Sequence, residues 1–444
     1  MPSFPTRRSY LGLAFAFILF AVYASLIPFD WRPLSLAEAG RLFAAEIAVW
    51  PKRVSRGDVL ANILLFVPVG FALTGALVLD RAGRGRVAAA ASAVLLASFV
   101  ASLVAEFVQT FTNDRLTSPV DLISQTIGCI IGIVAWAVVG DALTIWLRRT
   151  LASAPQDRLP RALAAYATIW VLVNLAPFDI TIDVGDFGQR LRAGRIGLLP
   201  PHLPWTRFVW DALAEVLGAI PLGAAGLVAW TPRMPRSTGT AFASGAAVVL
   251  GTEVAQMFIR SHSALASDVI LGWIGVAIGV RLGQRVLQPA PLAQRFQQPM
   301  IWVPALAVLA GWCVVLVVFH WQPYDFVVDS RAVRHKLAEL SLVPFAPYMN
   351  GRWLNALNDI LTKVSLAAPL GAIAAFVVRR DRLTPPVLWI GWAIAFGAVF
   401  AIIEAGQFFL PSRIPAPTDV LTGTLGAVGG FALGQWLSSG RHRG

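Results

Sequence analysis

Cysteine occurs twice in 444 residues, lysine three times and glutamate seven times, and charged side chains make up only 14% of the chain. Cys129 and Cys313 both fall inside apolar blocks, which excludes a disulfide framework and a cysteine metal site. So little charge, beside 57% hydrophobic residues and a mean hydropathy of +0.68, excludes a water-soluble globular domain of this size. With about 20 apolar residues per crossing, the length leaves room for roughly a dozen spans and for no sizeable soluble domain. Membrane strands are excluded too, because the apolar blocks are continuous runs rather than alternating segments of about ten residues. A formal net charge of +12 would suggest nucleic acid in a soluble protein. Here it reports membrane orientation, and no nucleic-acid partner is expected.

What the chain does contain is one unit written three times. Asp58 reaches Pro68-Val69-Gly70, Asp211 reaches Pro221-Leu222-Gly223 and Asp359 reaches Pro369-Leu370-Gly371 at one spacing. Each unit then carries Glu-x-x-Gln, as Glu106 and Gln109, Glu253 and Gln256, and Glu404 and Gln407. An aspartate follows each glutamate by fifteen positions, at Asp121, Asp268 and Asp419. Glycine pairs come next: Gly128 and Gly132, Gly275 and Gly279, Gly426 and Gly430. Upstream, the first apolar block of each unit ends in Pro28-Phe29-Asp30, Pro177-Phe178-Asp179 or Pro323-Tyr324-Asp325. Three of only seven glutamates at one place in the pattern removes coincidence as an explanation.

Four apolar blocks per unit predict an all-α, polytopic integral membrane protein of about 12 transmembrane helices in three four-helix repeats, over residues 1–150, 151–295 and 296–444. An even number of spans makes the repeats parallel rather than inverted. Arg81, Arg84 and Arg86, Arg148 and Arg149, Arg158 and Arg161, Arg233 and Arg236, Arg281, Arg285 and Arg295, and Arg379, Arg380 and Arg382 then share one side with both termini. The positive-inside rule makes that side cytoplasmic. Ser9–Ile27 follows two arginines as a signal peptide would, but its counterparts are internal, so it is expected to be a true span. Leu34–Trp50 reads as an amphipathic helix at the outer interface.

This topology gathers the repeated polar residues at the outer face. Glu106 and Gln109, three apart, share a helical face about five residues below the helix end, roughly 7 Å into the apolar zone. An ionisable group there marks a function or a buried partner. Nine residues after each glutamate stand Arg115, His262 and Arg413. Arg115 is placed to bridge Glu106 and Asp121 or to grip a phosphate bidentately. The plainer readings are N-capping for the six aspartates, a buried hydrogen-bond network for the Glu-x-x-Gln pairs, helix kinks for the prolines and small-residue packing for the glycines. His262 with Glu253 and Asp268 is a poor metal site, because the equivalent positions are arginine.

These residues resemble the VanZ-like family of bacterial membrane proteins. Unit one is similar to the family pattern through Asp58, Asn62, Leu65-Phe66-Val67-Pro68-Val69-Gly70, Glu106, Gln109, Arg115 and Asp121, and unit three adds Leu342-Val343-Pro344-Phe345, Glu404, Gln407, Arg413 and Asp419. The pattern's asparagine at Asn62 is Glu215 and Lys363 elsewhere, and its closing asparagine is Gln125, Gly272 and Gly423. Unit one is therefore expected to be the active copy. The resemblance implies a role like that of family members associated with teicoplanin resistance.

Three functions compete. The first is binding, without chemistry or cofactor, of an outer-leaflet amphiphile: an envelope lipid, a lipid-linked glycan or a lipidated glycopeptide, held by Asp58, Asn62, Glu106, Gln109, Arg115 and Asp121, and by Glu253, Gln256, His262, Asp268, Glu404, Gln407, Arg413 and Asp419 in the other units. The second is an enzyme acting on the same headgroup with Glu106 as general acid or base, against which no His-x-Asp pattern, nucleophile elbow or metal cluster occurs. The third is a proton-coupled transporter, which the repeats favour, but no acidic relay continues to the cytoplasmic side.

Overall fold

A computed structural model describes residues 4–51, 55–81, 83, 85–113, 117–176, 180–200, 205–229, 237–287, 302–348, 353–377 and 386–438. Arg84, Arg115, the triplet Pro177-Phe178-Asp179, and the linker arginines Arg233, Arg236, Arg295, Arg379, Arg380 and Arg382 lie outside them.

All twelve predicted apolar blocks are helices. In the first repeat they are α1 (Arg7–Leu26), α3 (Arg56–Val78), α4 (Arg86–Gln109) and α5 (Pro119–Ala135), with the amphipathic α2 (Leu36–Ile47) between the first two. A π-helical turn, Trp136–Gly140, carries α5 into α6 (Asp141–Leu151). The second repeat contains α7 (Pro155–Leu175), α8 (Val184–Arg192), α9 (Trp205–Ala229), α10 (Thr238–Gln256) and α11 (Ala266–Leu287). The third contains α12 (Trp302–His320), α13 (Ser330–Glu339), α14 (Trp353–Val377), α15 (Pro386–Gln407) and α16 (Pro417–Ser438). Eight helices among the described residues are long and apolar enough to cross a bilayer. Their flanks carry Val138, Leu96, Ile402 and Ile390 at 60–74% exposure, apolar surface that suits acyl chains. The molecule is a multi-pass membrane protein, and the bilayer is its solvent.

By contacts the chain divides into two compact units: Met1–Ser153 with Arg334–Leu357 and Ala416–Thr418, and Ala154–Val333 with Asn358–Pro415 and Asp419–Gly444. Within the first, α3 packs along α5 so closely that a Cβ on Gly128 would meet the carbonyl of Ile63, one on Gly132 that of Val67 and one on Gly70 that of Cys129. The second unit repeats this twice: Gly275, Gly279 and Gly223 press on Val216, Ile220 and Val276, and Gly426, Gly430 and Gly371 on Val364, Ala368 and Ala427. The paired glycines are thus the packing surface their spacing predicts.

A second equivalence lies at the end that carries the Pro-aromatic-Asp triplets. Arg32 N donates to Phe111 O at 2.6 Å, Thr181 N to Phe258 O at 2.8 Å and Val327 N to Phe409 O at 2.8 Å. Each donor stands two residues past a Pro-aromatic-Asp triplet and each acceptor five past the Glu of a Glu-x-x-Gln pair. The same strap therefore ties the end of the first helix to the end of the third in all three repeats. In two of the triplets the aromatic turns the chain through the left-handed region, Phe29 at φ 68° and Tyr324 at φ 65°.

The opposite end of the first repeat is held by arginine. Arg7 donates to Ala76 O at 2.8 Å, Arg86 pairs with Asp141, and Arg148 grips Asp80 at 2.7 and 2.8 Å. The hydrogen bonds from Arg148 hold the Asp80 carboxyl below its ordinary value. A depressed carboxyl stabilises the fold above its unfolded-state pKa of about 3.9 and ceases to do so as pH falls through the folded value. Asp80→Asn is therefore expected to flatten the loss of thermal stability on acidification from about pH 4 downward, as read by unfolding scans in detergent. An unchanged acid slope would show that Asp80 does not contribute.

Candidate functional site

At the end of the first repeat opposite its arginines, helices α3, α4 and α5 bring four of the predicted residues and one discounted residue together. Asn62 Nδ2 donates to Asp121 Oδ1 at 2.7 Å. Gln125 Nε2 faces Asn62 Oδ1 at 3.3 Å and Glu106 Oε1 at 3.4 Å, and Gln125 Oε1 accepts from Ser102 Oγ. Gln109, one turn beyond Glu106, is buried beside it. Glu106 is 1% exposed and Gln125 2%, whereas Asn62 and Asp121 are half-buried, so the network has a sealed floor and an accessible rim. Because α4 ends at Gln109, Glu106 lies about one turn, roughly 5 Å, inside the helix end, shallower than its sequence position implied.

Capping does not explain the aspartates of this repeat. Ser55 Oγ caps α3 and Ser118 Oγ caps α5, each accepting from a backbone amide, while Asp58 and Asp121 occupy the first turn. Asp121 is thereby left to face Asn62, and Asp58 is exposed. A negative first turn still suits the helix dipole. The amphipathic α2 closes over the same end: Glu46 Oε2 accepts from Thr117 N at 3.0 Å, and Phe43 stacks edge-on against Phe107.

The same positions carry different charge in the other repeats. In the third, Lys363 stands where Asn62 does and pairs with Asp419 and with Asp359, each at 2.6 Å. Gln407 Nε2 donates to Glu404 Oε1 at 2.7 Å, and both are buried. In the second, Glu215 lies within electrostatic range of Asp268 and Glu253, Glu253 Oε1 accepts from Leu265 N, and Asp268 accepts from Ser267 Oγ at 3.0 Å. The outer loop there is pinned by Ile196–Gly197 (β1) pairing with Ala264–Leu265 (β2) and by Arg190, whose guanidinium donates to the carbonyls of Gln256, Met257 and His262.

The position nine residues after each glutamate behaves as a latch where it is described. His262 meets the carbonyl of Ala176 and Arg413 Nε donates to that of Gln322, in both cases the residue just before the Pro-aromatic-Asp triplet. A cationic or polar donor thus secures the last turn of the repeat's first helix. Arg115 holds the equivalent place in the first repeat, outside the described residues. Among the described residues, no group of three histidine, cysteine or acidic side chains is arranged to hold a metal.

Neither the curated proteins nor the solved structures include a match to this chain. The sequence model of VanZ/LLP1 matches twice, over residues 7–140 and residues 305–438, and thus over more than half of the chain. Both matched stretches carry the Asp, Glu-x-x-Gln, Asp and paired-glycine pattern in the geometry described above, and the chain belongs to the VanZ/LLP1 family.

Proposed function

We propose that this protein binds the polar head of an outer-leaflet amphiphile, an envelope lipid, a lipid-linked glycan or a lipophilic glycopeptide, at the outer end of its first repeat, in a bacterial inner membrane with both termini cytoplasmic. The observation that carries the reading is the amide and carboxylate network of Asn62, Asp121, Gln125 and Glu106. Buried amides and carboxylates at headgroup depth are costly unless satisfied, and a rim of one amide and one carboxylate offers donors and acceptors to a sugar or phosphate head. Arg115, six positions before Asp121 in the sequence, would add the cation. Glu106 and Gln125 form the floor that orients Asn62. The third repeat spends its rim on an internal ion pair, and the second has no amide there, so ligand binding is assigned to the first.

Division into three units at 1–150, 151–295 and 296–444 belongs to the same proposal. It is supported by the outer strap and the glycine contacts, which recur in the middle stretch that the family model leaves unmatched.

Photocrosslinking tests the site. A diazirine analogue of a lipid-linked glycan, added to membranes containing the protein, is expected to label peptides of α3 or α5, and Glu106→Ala with Arg115→Ala to cut labelling by about tenfold, as loss of one charge-assisted contact would. Labelling unchanged in a folded double variant would reject the site.

A further inference from the structure

The second repeat contains a cleft that the outer site does not use. It measures about 410 Å³, opens between α7, α9 and α10, and is walled by Ala164, Ala167, Gly226, Gly245 and Val248, with Arg161 at its edge. All three helices meet there at their linker ends, the arginine-rich end, on the side opposite the polar network of that repeat.

The lining follows from the sequence. In repeat register, Gly226 corresponds to Leu73, which packs among the core clusters of the first repeat, and Gly245 to Phe396, which is 3% exposed against Trp392 and Phe431 in the third. With glycine at both places α10 lies close to α9 and to α11, a Cβ on Gly226 meeting the carbonyl of Ala241 on α10 and one on Gly245 meeting Val276 of α11 at 2.8 Å. The first helix of the repeat lines the cleft with Pro160, Ala164 and Ala167, beside Arg161. An apolar slot remains, with a guanidinium at its mouth.

We infer that this cleft holds an acyl chain of an anionic phospholipid from the leaflet on the arginine-rich side, with Arg161 taking the phosphate. Arg158, one turn earlier, is committed: it donates to Trp436 O at 2.7 Å and lies 5.7 Å over the Trp436 ring. Arg161 has no ion pair among the described residues, and it stands at the mouth of the cleft near the start of α7. An arginine at a membrane surface favours anionic lipid, and an apolar wall favours the chain, so one molecule satisfies both halves of the site.

Native mass spectrometry of the full-length protein, taken from nanodiscs of equal phosphatidylglycerol and phosphatidylcholine, tests this. The wild type is expected to retain phosphatidylglycerol over phosphatidylcholine by about fivefold. Arg161→Gln, at an accessible position, is expected to erase that preference while lipid is still retained. Ala164→Phe, which fills the slot from α7, is expected to lower retention of both lipids. Equal retention of the two lipids by the wild type, a preference that survives Arg161→Gln, or displacement of phosphatidylglycerol by equimolar oleate would each overturn the assignment.

Discussion

Gly132→Ala is expected to destabilise the first repeat by about 3 kcal/mol or more, because overpacking against a backbone that cannot move aside stands at the costly end of such changes. A Cβ at Gly132 meets the carbonyl of Val67, the amide of Phe71 at 2.6 Å and the carbonyl carbon of Gly70 at 3.0 Å, all backbone of α3. No rotamer relieves a backbone clash, so α3 and α5 have to separate. Their separation would also pull Asn62 from Asp121, since these residues sit on the same two helices beyond the contact of Gly128 with Ile63. Gly12→Ala, on α1 with nothing within 4 Å of its added Cβ, is the matched control and gains helix propensity instead. Thermal unfolding in detergent should show a large fall in midpoint for the first variant and none for the second. Equal midpoints would mean that the glycine seam does not hold the bundle.

That seam was legible in the sequence, because a small residue at fixed spacing in three repeats has few other physical causes. So were the twelve helices, though not all of their ends, and the amphipathic α2, whose Ser35 and Glu38 cap it reciprocally. Pairing across the outer site was not. Asn62 and Asp121 are 59 positions apart, and no local rule joins them. Gln125 reads as a failure to match an expected asparagine, yet the longer side chain spans from Asn62 to Glu106. Lys363 reads as a departure too, yet it makes the same contact across the helix pair that Asn62 makes, with a charge in place of an amide. The serines at 55 and 118 show why capping misled: a hydroxyl three residues ahead of each aspartate is the better-placed acceptor. In each case the sequence supplied the residue and space supplied its partner.

The contrast between Asn62 and Lys363 yields the sharpest functional expectation. Asn62→Lys should convert the rim of the first repeat into that of the third, with the new ammonium drawn to Asp121 and Asp58 as Lys363 is to Asp419 and Asp359. The new ammonium is paired with carboxylates on both helices, so folding should survive, but the carboxylate and amide offered to a headgroup are gone. Photolabelling is expected to fall about tenfold or more, the loss of one strong polar contact, while the unfolding midpoint stays near that of the wild type. The reciprocal change separates charge from shape. Lys363→Asn removes the cation that Asp359 and Asp419 share, and loss of this part-buried pair is expected to lower the unfolding midpoint. It is not expected to create a binding site, because Gly423 stands where Gln125 closes the first repeat and a side chain there would strike the Phe400 ring. Full labelling of a folded Asn62→Lys protein would place the headgroup elsewhere and reduce the amide network to a helix clamp.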